Sequence, residues 1–360
     1  MKKIFFLIIL LFNLQTFAWE VDDYTYRIEI LKQTKTVIDT DLQLLNNQTN
    51  FLIQKAIKVL NDKENFSCEK DRQLDVPEIY ETITDQIGGL IIGRLEEWAI
   101  SNLHTFLSEK DIFNAIFYDP RPSFNLSNHV VGVDKLSHFF DQGFTMFKTA
   151  YLRPDFLHKL FQKYFPLPQD DQLTQQQIMA FYISYLLEET FLGKRMSGIL
   201  SYADMGANYS GMIFWMHLLH GNNPYLECNK ITKKYKQLKS MDWENYVNHS
   251  WDEGINCSFF NNYPIDFPYN NSSFKKEHYF MNMSWPGKNF QKNLSVIYET
   301  KYNNQKTFKL NRNCPIETEK CLYLATIPCA KYIISPMCLV IANNKINQEC
   351  KLGSSLKNLQ

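Results

Sequence analysis

The chain has 360 residues, with 38 Lys plus Arg against 38 Asp plus Glu, 45% hydrophobic residues and 21% charged ones. Balanced charge excludes the strong single-sign field on which nucleic-acid binding rests, and this apolar fraction excludes a disordered chain. An aromatic share of 15% equips the chain for a large, rigid core.

The first residues read as a signal peptide. Lys2 and Lys3 form a positive start, Ile4 to Phe12 is an unbroken apolar run, and Thr16-Phe17-Ala18 offers small residues where a signal peptidase reads. The run is too short to span a bilayer as a permanent helix, and the competing reading is an uncleaved anchor. Removing residues 1–18 leaves 36 basic against 38 acidic side chains, a net charge of −2. The expected address is outside the cytoplasm, in the periplasm or outer envelope.

Residues 20 to about 62 carry apolar side chains near helical spacing, Leu42, Leu44, Leu45, Phe51, Leu52, Ile53, Ala56, Ile57, Val59 and Leu60, with Asp39 or Thr40 able to start the run. A second helical region covers 77 to 107. Gly88, Gly89 and Gly93 interrupt it and mark close helix packing or a kink. Asp119-Pro120-Arg121-Pro122-Ser123 is a turn. Three further helices are predicted: from Val133 or Asp134 to about Leu152, from Thr174 to Leu192, and from Ser201 to Gly221. Thr174 with Gln177, and Ser201 with Asp204, make capping boxes. No apolar segment reaches the ~18 uninterrupted residues of a membrane span, so these helices suit a buried core or a membrane surface.

Past residue 222 the composition shifts to Asn, Lys, Tyr and Ser. The runs Cys321 to Ile327 and Cys338 to Ala342 read as strands. The fold class is therefore mainly α. A helical bundle domain (19–225) precedes an irregular aromatic connector (226–290) and a small Cys-rich, β-containing tail (291–360). All eight Cys, namely Cys68, Cys228, Cys257, Cys314, Cys321, Cys329, Cys338 and Cys350, lie beyond the leader. An even count in an exported chain predicts disulfides, and the lack of any C-x-x-C pair argues against a zinc knuckle or thioredoxin chemistry. Five fall after residue 310, so one bridge leaves the tail or one thiol is free.

Chemistry-bearing residues gather on three predicted helices. Asp134 and His138 are four apart, which puts both on one helical face, as are Asp204 and Asn208. Glu188 and Glu189 end the apolar helix between them, and phasing does not decide which faces inward. A carboxylate beside an imidazole makes a general base or a pair of metal ligands. Asp134 is equally well placed to cap its helix, and Asp204 to complete a capping box. Asn208 and His138, one turn inside, have no such explanation. Lys135 and Arg195 offer positive charge for an anionic substrate, or Arg195 simply pairs with the preceding glutamates. His217 and His220, three apart, have metal-binding spacing, although His220 also sits where a helix C-terminus favours a cation. Trp251-Asp252-Glu253 reads as a surface turn with a packed indole.

The pattern D-K-x-x-H-F (Asp134, Lys135, His138, Phe139), an apolar helix ending in Glu188-Glu189, and S-x-x-D-x-x-x-N-x-x-G (Ser201, Asp204, Asn208, Gly211) resembles the VanZ-like and YfiM-like group of bacterial envelope proteins over residues 131–215. The resemblance implies a compact helical bundle in which these polar positions converge. It brings no established general reaction.

Two functions are expected from these residues. One is an exported hydrolase acting on a lipid phosphate or cell-wall precursor, with Asp134, His138, Glu188, Glu189 and Asp204 as catalytic candidates. Lys135, Arg195 and Asn208 would lie on its substrate side, and a divalent metal ion is the candidate cofactor. The other is a non-catalytic envelope protein, associated with a membrane surface or the cell wall, whose buried polar network fixes helix packing.

Overall fold

The computed structural model describes residues 39–73, 76–88, 93–103, 105–106, 123–152, 172–189, 199–252, 255–256, 259–261, 308–310, 318–335, 338, 342, 349–350 and 352. The leader at 1–18, the start of the predicted first helix, the Pro-rich turn at 119–122, Arg195, Cys257 and Cys314 lie outside them.

Helix α1 (Asp39–Asn61) opens at Asp39, one of the two starts legible in the sequence. It buries Leu45, Leu52, Ile53, Ala56, Ile57 and Leu60 of the stripe that the periodicity marked, while Leu44, Phe51 and Val59 from the same run are exposed. A short α2 (Cys68–Asp71) follows, then α3 (Glu78–Ile87) and α4 (Arg94–Asn102). The helical region expected over 77–107, interrupted by glycines, is two helices that break between Gly88 and Gly93, and its last part, Thr105–Phe106, is strand β1. Gly88 ends α3 and Gly93 opens α4; each lies too close to another helix to accept a Cβ, Gly88 against Asp141 and Gly93 against Ser137. The glycines therefore serve close packing at a helix break.

Strands β2 (Ser123–Leu126) and β3 (His129–Gly132) form an antiparallel hairpin, with β1 on the outer side of β2. Ser127 and Asn128 at its tip both have positive φ, the tight-turn geometry that matches strand twist. The hairpin delivers the chain into α5 (Lys135–Ser137), a π-helical turn (His138–Gln142) and α6 (Gly143–Tyr151). Helix α7 (Gln175–Glu189) starts as predicted: Thr174 Oγ1 accepts from Gln177 N at 3.2 Å, and Gln177 Oε1 accepts from Thr174 N at 2.9 Å. After the short strand β4 (Ile199–Leu200) comes α8 (Tyr202–Leu219), buried on nearly every face and therefore the central helix.

Contacts ascend together along α5–α6 and α8. Lys135 meets Asp204, His138 meets Asn208, Gly143 meets Gly211 and Phe144 meets Trp215, so the two helices run in the same direction. Helix α7 meets them in the opposite sense, Glu188 near His138, Ser184 at Asn208 and Phe181 beside Tyr209. At the crossing of α6 and α8 a Cβ on Gly211 would overlap the Phe139 carbonyl, and one on Gly143 would lie 2.6 Å from Gly211 Cα. Backbone touches backbone there.

The segment after 225 packs onto this bundle. Hairpin β5–β6 (Leu226–Cys228 and Tyr235–Gln237) is tied to α2 by the Cys68–Cys228 disulfide. By chain entropy, a cross-link of sequence separation 160 contributes on the order of 5 kcal/mol. Trp243, Tyr246 and Trp251 surround Phe139 with centroids 4.8, 5.3 and 5.7 Å away, which is where the high aromatic content is used. Strands β7 (Phe259–Asn261) and β8 (Phe308–Leu310) join β4 in a mixed-origin antiparallel sheet.

The tail contains β8, yet its two apolar runs are not strands. Residues Thr318–Leu324 form α9, Ala330–Ile333 form α10, and Cys338 and Ala342 are helical. In the first run Cys321, Leu324 and Ala325 are the buried positions, a helical spacing that a short apolar run conceals. Disulfides Cys321–Cys338 and Cys329–Cys350 close the tail on itself, and no cysteine among the described residues is free. The tail is held to the bundle where Gln177 Nε2 donates to Leu352 O at 2.7 Å and Asn256 Nδ2 donates to Tyr202 O and Ile333 O. Three disulfides mark a chain that folds in an oxidising, exported environment. Among the described residues no helix is long and apolar enough to cross a membrane.

Replacing Gly211 by Ala forces the π turn and α8 apart. Urea denaturation is expected to show a loss of about 3 kcal/mol, the upper end of overpacking penalties, whereas Gly221→Ala at the exposed end of α8 should act only through its φ of +87° and cost about 1 kcal/mol.

Candidate functional site

Five ionisable side chains meet where α5, the π turn, α7 and α8 converge: Asp134, Lys135, His138, Glu188 and Asp204, each 0–2% exposed. Asn208 and Ser184 complete the group at 0 and 1%. The chain enters α5 from β3, which fixes the position of Asp134. That residue has helical backbone, φ −57° and ψ −28°, and its carboxylate makes no capping bond. The capping explanation of Asp134 is therefore overturned: its Oδ2 accepts from Lys135 Nζ at 2.9 Å instead. Asp204 is half explained by its cap. Its backbone N–H donates to Ser201 Oγ at 3.1 Å, while its carboxylate faces the centre, Oδ1 at 2.5 Å from Lys135 Nζ and Oδ2 at 3.2 Å from His138 Nε2.

The other edge of the imidazole is held by an amide. His138 Nδ1 lies 3.1 Å from Asn208 Oδ1 and 3.8 Å from Glu188 Oε1, and Asn208 Nδ2 donates to Ser184 Oγ at 3.0 Å. Asn208, unexplained by helix propensity, is the residue that orients the histidine. The Glu188 carboxyl is buried within reach of the Asp204 charge. Burial, reinforced by the Asp204 charge, holds Glu188 well above the usual carboxylate range. Burial also raises Asp134, and the Lys135 ammonium opposes it. Two carboxylates side by side with one raised is the arrangement that stores a proton.

Of the residues read from the sequence as site candidates, Asp134, Lys135, His138, Glu188, Asp204 and Asn208 come together. Glu189 ends α7 with its side chain outside the described residues, and Arg195 lies outside them altogether. Glu188 faces inward, fully buried. Lys135 has its charge matched by two aspartates inside the cluster rather than displayed at an edge. His217 and His220 stay apart from it. Burial pushes His220 down to about 4, so a favourable charge at the helix C-terminus does not account for it. Trp251 is packed as expected, its Nε1 donating to Ser210 Oγ, but Asp252 is buried and not on a surface turn.

The sequence reading missed Ser184 and a second acid pair. Ser184 stands four before Glu188 in an otherwise apolar run, the same-face spacing that revealed the others. Asp141 sits on the far side of the π turn, its Oδ1 against Gly88, and Ser137 Oγ donates to Glu96 Oε2 at 2.5 Å nearby. Burial and then the Glu96 charge push Asp141 up to about 7. An acid three residues past His138 in an aromatic stretch was the available signal.

An open groove of about 410 Å³ lies elsewhere, lined by Asn46, Asn47, Asn50, Phe51, Gln54, Ser240, Met241 and Asp242, and shares no residue with the cluster. Asn46 and Asn50 there already bond the connector, Asn50 Oδ1 accepting from Met241 N at 2.7 Å and Asn46 Oδ1 from Trp243 N at 2.9 Å. No family model matches the chain, and no curated protein or solved structure matches it either.

Asp141 sets a pH dependence whose sign is opposite to that of a paired carboxylate. Its folded-state value, about 7, lies above the unfolded 3.8, so from pH 4 to 7 the unfolded chain ionises first and stability falls. The full rise corresponds to an upper bound on the order of 4 kcal/mol. Denaturation midpoints measured from pH 5 to 8 are expected to decline more steeply for wild type than for Asp141→Asn, with the variant the more stable at pH 8.

Proposed function

We propose that this chain is an exported bacterial envelope protein, periplasmic or outer-envelope, in which the Asp134–Lys135–His138–Glu188–Asp204–Asn208 network fixes the register of three packed helices. The observation that carries this reading is burial: every member is 0–2% exposed, so the groups face one another and not solvent. A catalytic centre needs a cavity that its substrate can enter, and the groove formed among the described residues at 46–54 and 240–242 is built from other residues. Buried ionic groups of this kind select one arrangement of helices, because any slip by a turn strands a charge. The resemblance of residues 131–215 to VanZ-like and YfiM-like envelope proteins belongs to the same proposal, since its polar positions are those that converge. Contact with a membrane surface or cell wall is part of it too, supported by the exposed Leu44, Phe51 and Val59 on α1 beside Lys55 and Lys58.

A second reading, a hydrolase acting on a lipid phosphate or cell-wall precursor, is favoured by one feature. Glu188, whose carboxyl burial and the Asp204 charge hold above the usual range, lies 3.8 Å from an imidazole oriented by Asn208. On that reading the helices must part to admit substrate. Phosphate release from a polyprenyl diphosphate, abolished in a folded His138→Ala variant, is its signature.

The register role is tested by removing charge in two steps. Lys135→Met leaves Asp134 and Asp204 buried without their cation and is expected to lower stability by about 3–5 kcal/mol. Adding Asp204→Asn to that variant should restore a large part of the loss, measured by urea denaturation. Wild-type stability of Lys135→Met alone sinks the proposal.

A further inference from the structure

Lys135 takes one oxygen from each of two aspartates, Asp134 Oδ2 at 2.9 Å and Asp204 Oδ1 at 2.5 Å. Each aspartate carries a second oxygen. Asp134 Oδ1 is buried and has no hydrogen-bond partner among the described residues. Asp204 Oδ2 stands 3.2 Å from His138 Nε2, which is likewise buried and makes no hydrogen bond. The amide of Asn208 presents its oxygen to His138 Nδ1, because its nitrogen is given to Ser184. An oxygen there places the imidazole proton on Nδ1 and leaves the lone pair on Nε2.

Two electron pairs therefore face each other at 3.2 Å with a third oxygen beside them. A single proton joins Nε2 to Asp204 Oδ2 and does nothing for Asp134 Oδ1. A divalent cation answers all three. One ligating atom from each of Asp134, His138 and Asp204 lies within 4.8 Å of the other two. Ligands about 2.0–2.1 Å from a tetrahedral ion stand about 3.4 Å apart, which agrees with the Nε2 to Oδ2 separation.

We propose that Asp134, His138 and Asp204 bind a divalent transition-metal ion that locks the junction of α5, the π turn and α8. One nitrogen and two carboxylate oxygens suit Zn²⁺, Fe²⁺ or Mn²⁺, whereas Ca²⁺ requires a larger all-oxygen shell. The outer groups are those that metal-binding histidines and carboxylates use: Asn208 holds the imidazole, and Lys135 holds the spare oxygen of each aspartate. Complete burial makes this a closed, structural site rather than one with a coordination position open to substrate.

This inference rests on the register reading of the same residues, and the experiment separates the two. Tag-free, disulfide-intact chain is expected to retain about one equivalent of one of these metals by elemental analysis, to lose thermal stability on treatment with dipicolinate, and to regain it with that metal but not with Ca²⁺. His138→Gln should weaken metal uptake at least about tenfold, and Asp134→Asn, which keeps the Lys135–Asp204 pair, serves if His138→Gln does not fold. Wild-type chain that carries no metal and takes up none of Zn²⁺, Fe²⁺ or Mn²⁺ in a saturable manner overturns the proposal. If Lys135→Met is still destabilising in that case, the register role stands without the ion. Stoichiometric metal with an indifferent Lys135→Met supports the ion and removes the register role.

Discussion

The contact between Gly143 and Gly211 is the constraint on which the rest of the structure depends. There α6 and α8 approach until backbone meets backbone, with the Phe139 carbonyl filling the space a Cβ would occupy. The π turn widens the helix at this crossing, and the Trp215 indole donates to the Phe140 carbonyl at 2.9 Å. Because the helices run in the same direction and touch here, the turns preceding the crossing are also forced together. Those turns carry Lys135 and His138 on one helix and Asp204 and Asn208 on the other.

Enclosing this many charges is costly unless each finds a partner, and the cost explains the connectivity. Lys135 bridges two aspartates, and Asn208 links the histidine to Ser184 on α7. The network therefore reads helix position more sharply than the surrounding aromatic contacts, which tolerate small shifts. The aromatic shell does a different job. Phe139, with Trp243, Tyr246 and Trp251 around it, binds the segment after 225 to the bundle, and the Asn256 amide ties the tail to Tyr202 and Ile333.

Much of this was legible in the chain because it is local. Thr174 with Gln177, and Ser201 at the head of α8, act within one helical turn, so the sequence holds all the partners. The same-face spacing of Asp134 with His138, and of Asp204 with Asn208, needs only the helical repeat. What misled the reading was local ambiguity settled elsewhere. Asp134 had the right residue type and place for a cap, but Lys135 claimed its carboxylate. The run from Cys321 was apolar enough for a strand, and helical burial of Cys321, Leu324 and Ala325 decided otherwise. Ser184 and Asp141 were passed over because their partners, Asn208 on another helix and Gly88 at the end of a third, are distant in sequence.

The sequence by itself determined a mainly helical, cysteine-paired chain and the helical faces that carry its polar groups, since periodicity, capping and cysteine count depend on neighbours within a few turns. The tertiary structure decided that Glu188 turns inward, that Lys135 is shared between Asp134 and Asp204, and that these groups are shut away from water. Those outcomes depend on how closely α6 and α8 pass, a distance set by two glycines 68 positions apart, which no local pattern encodes.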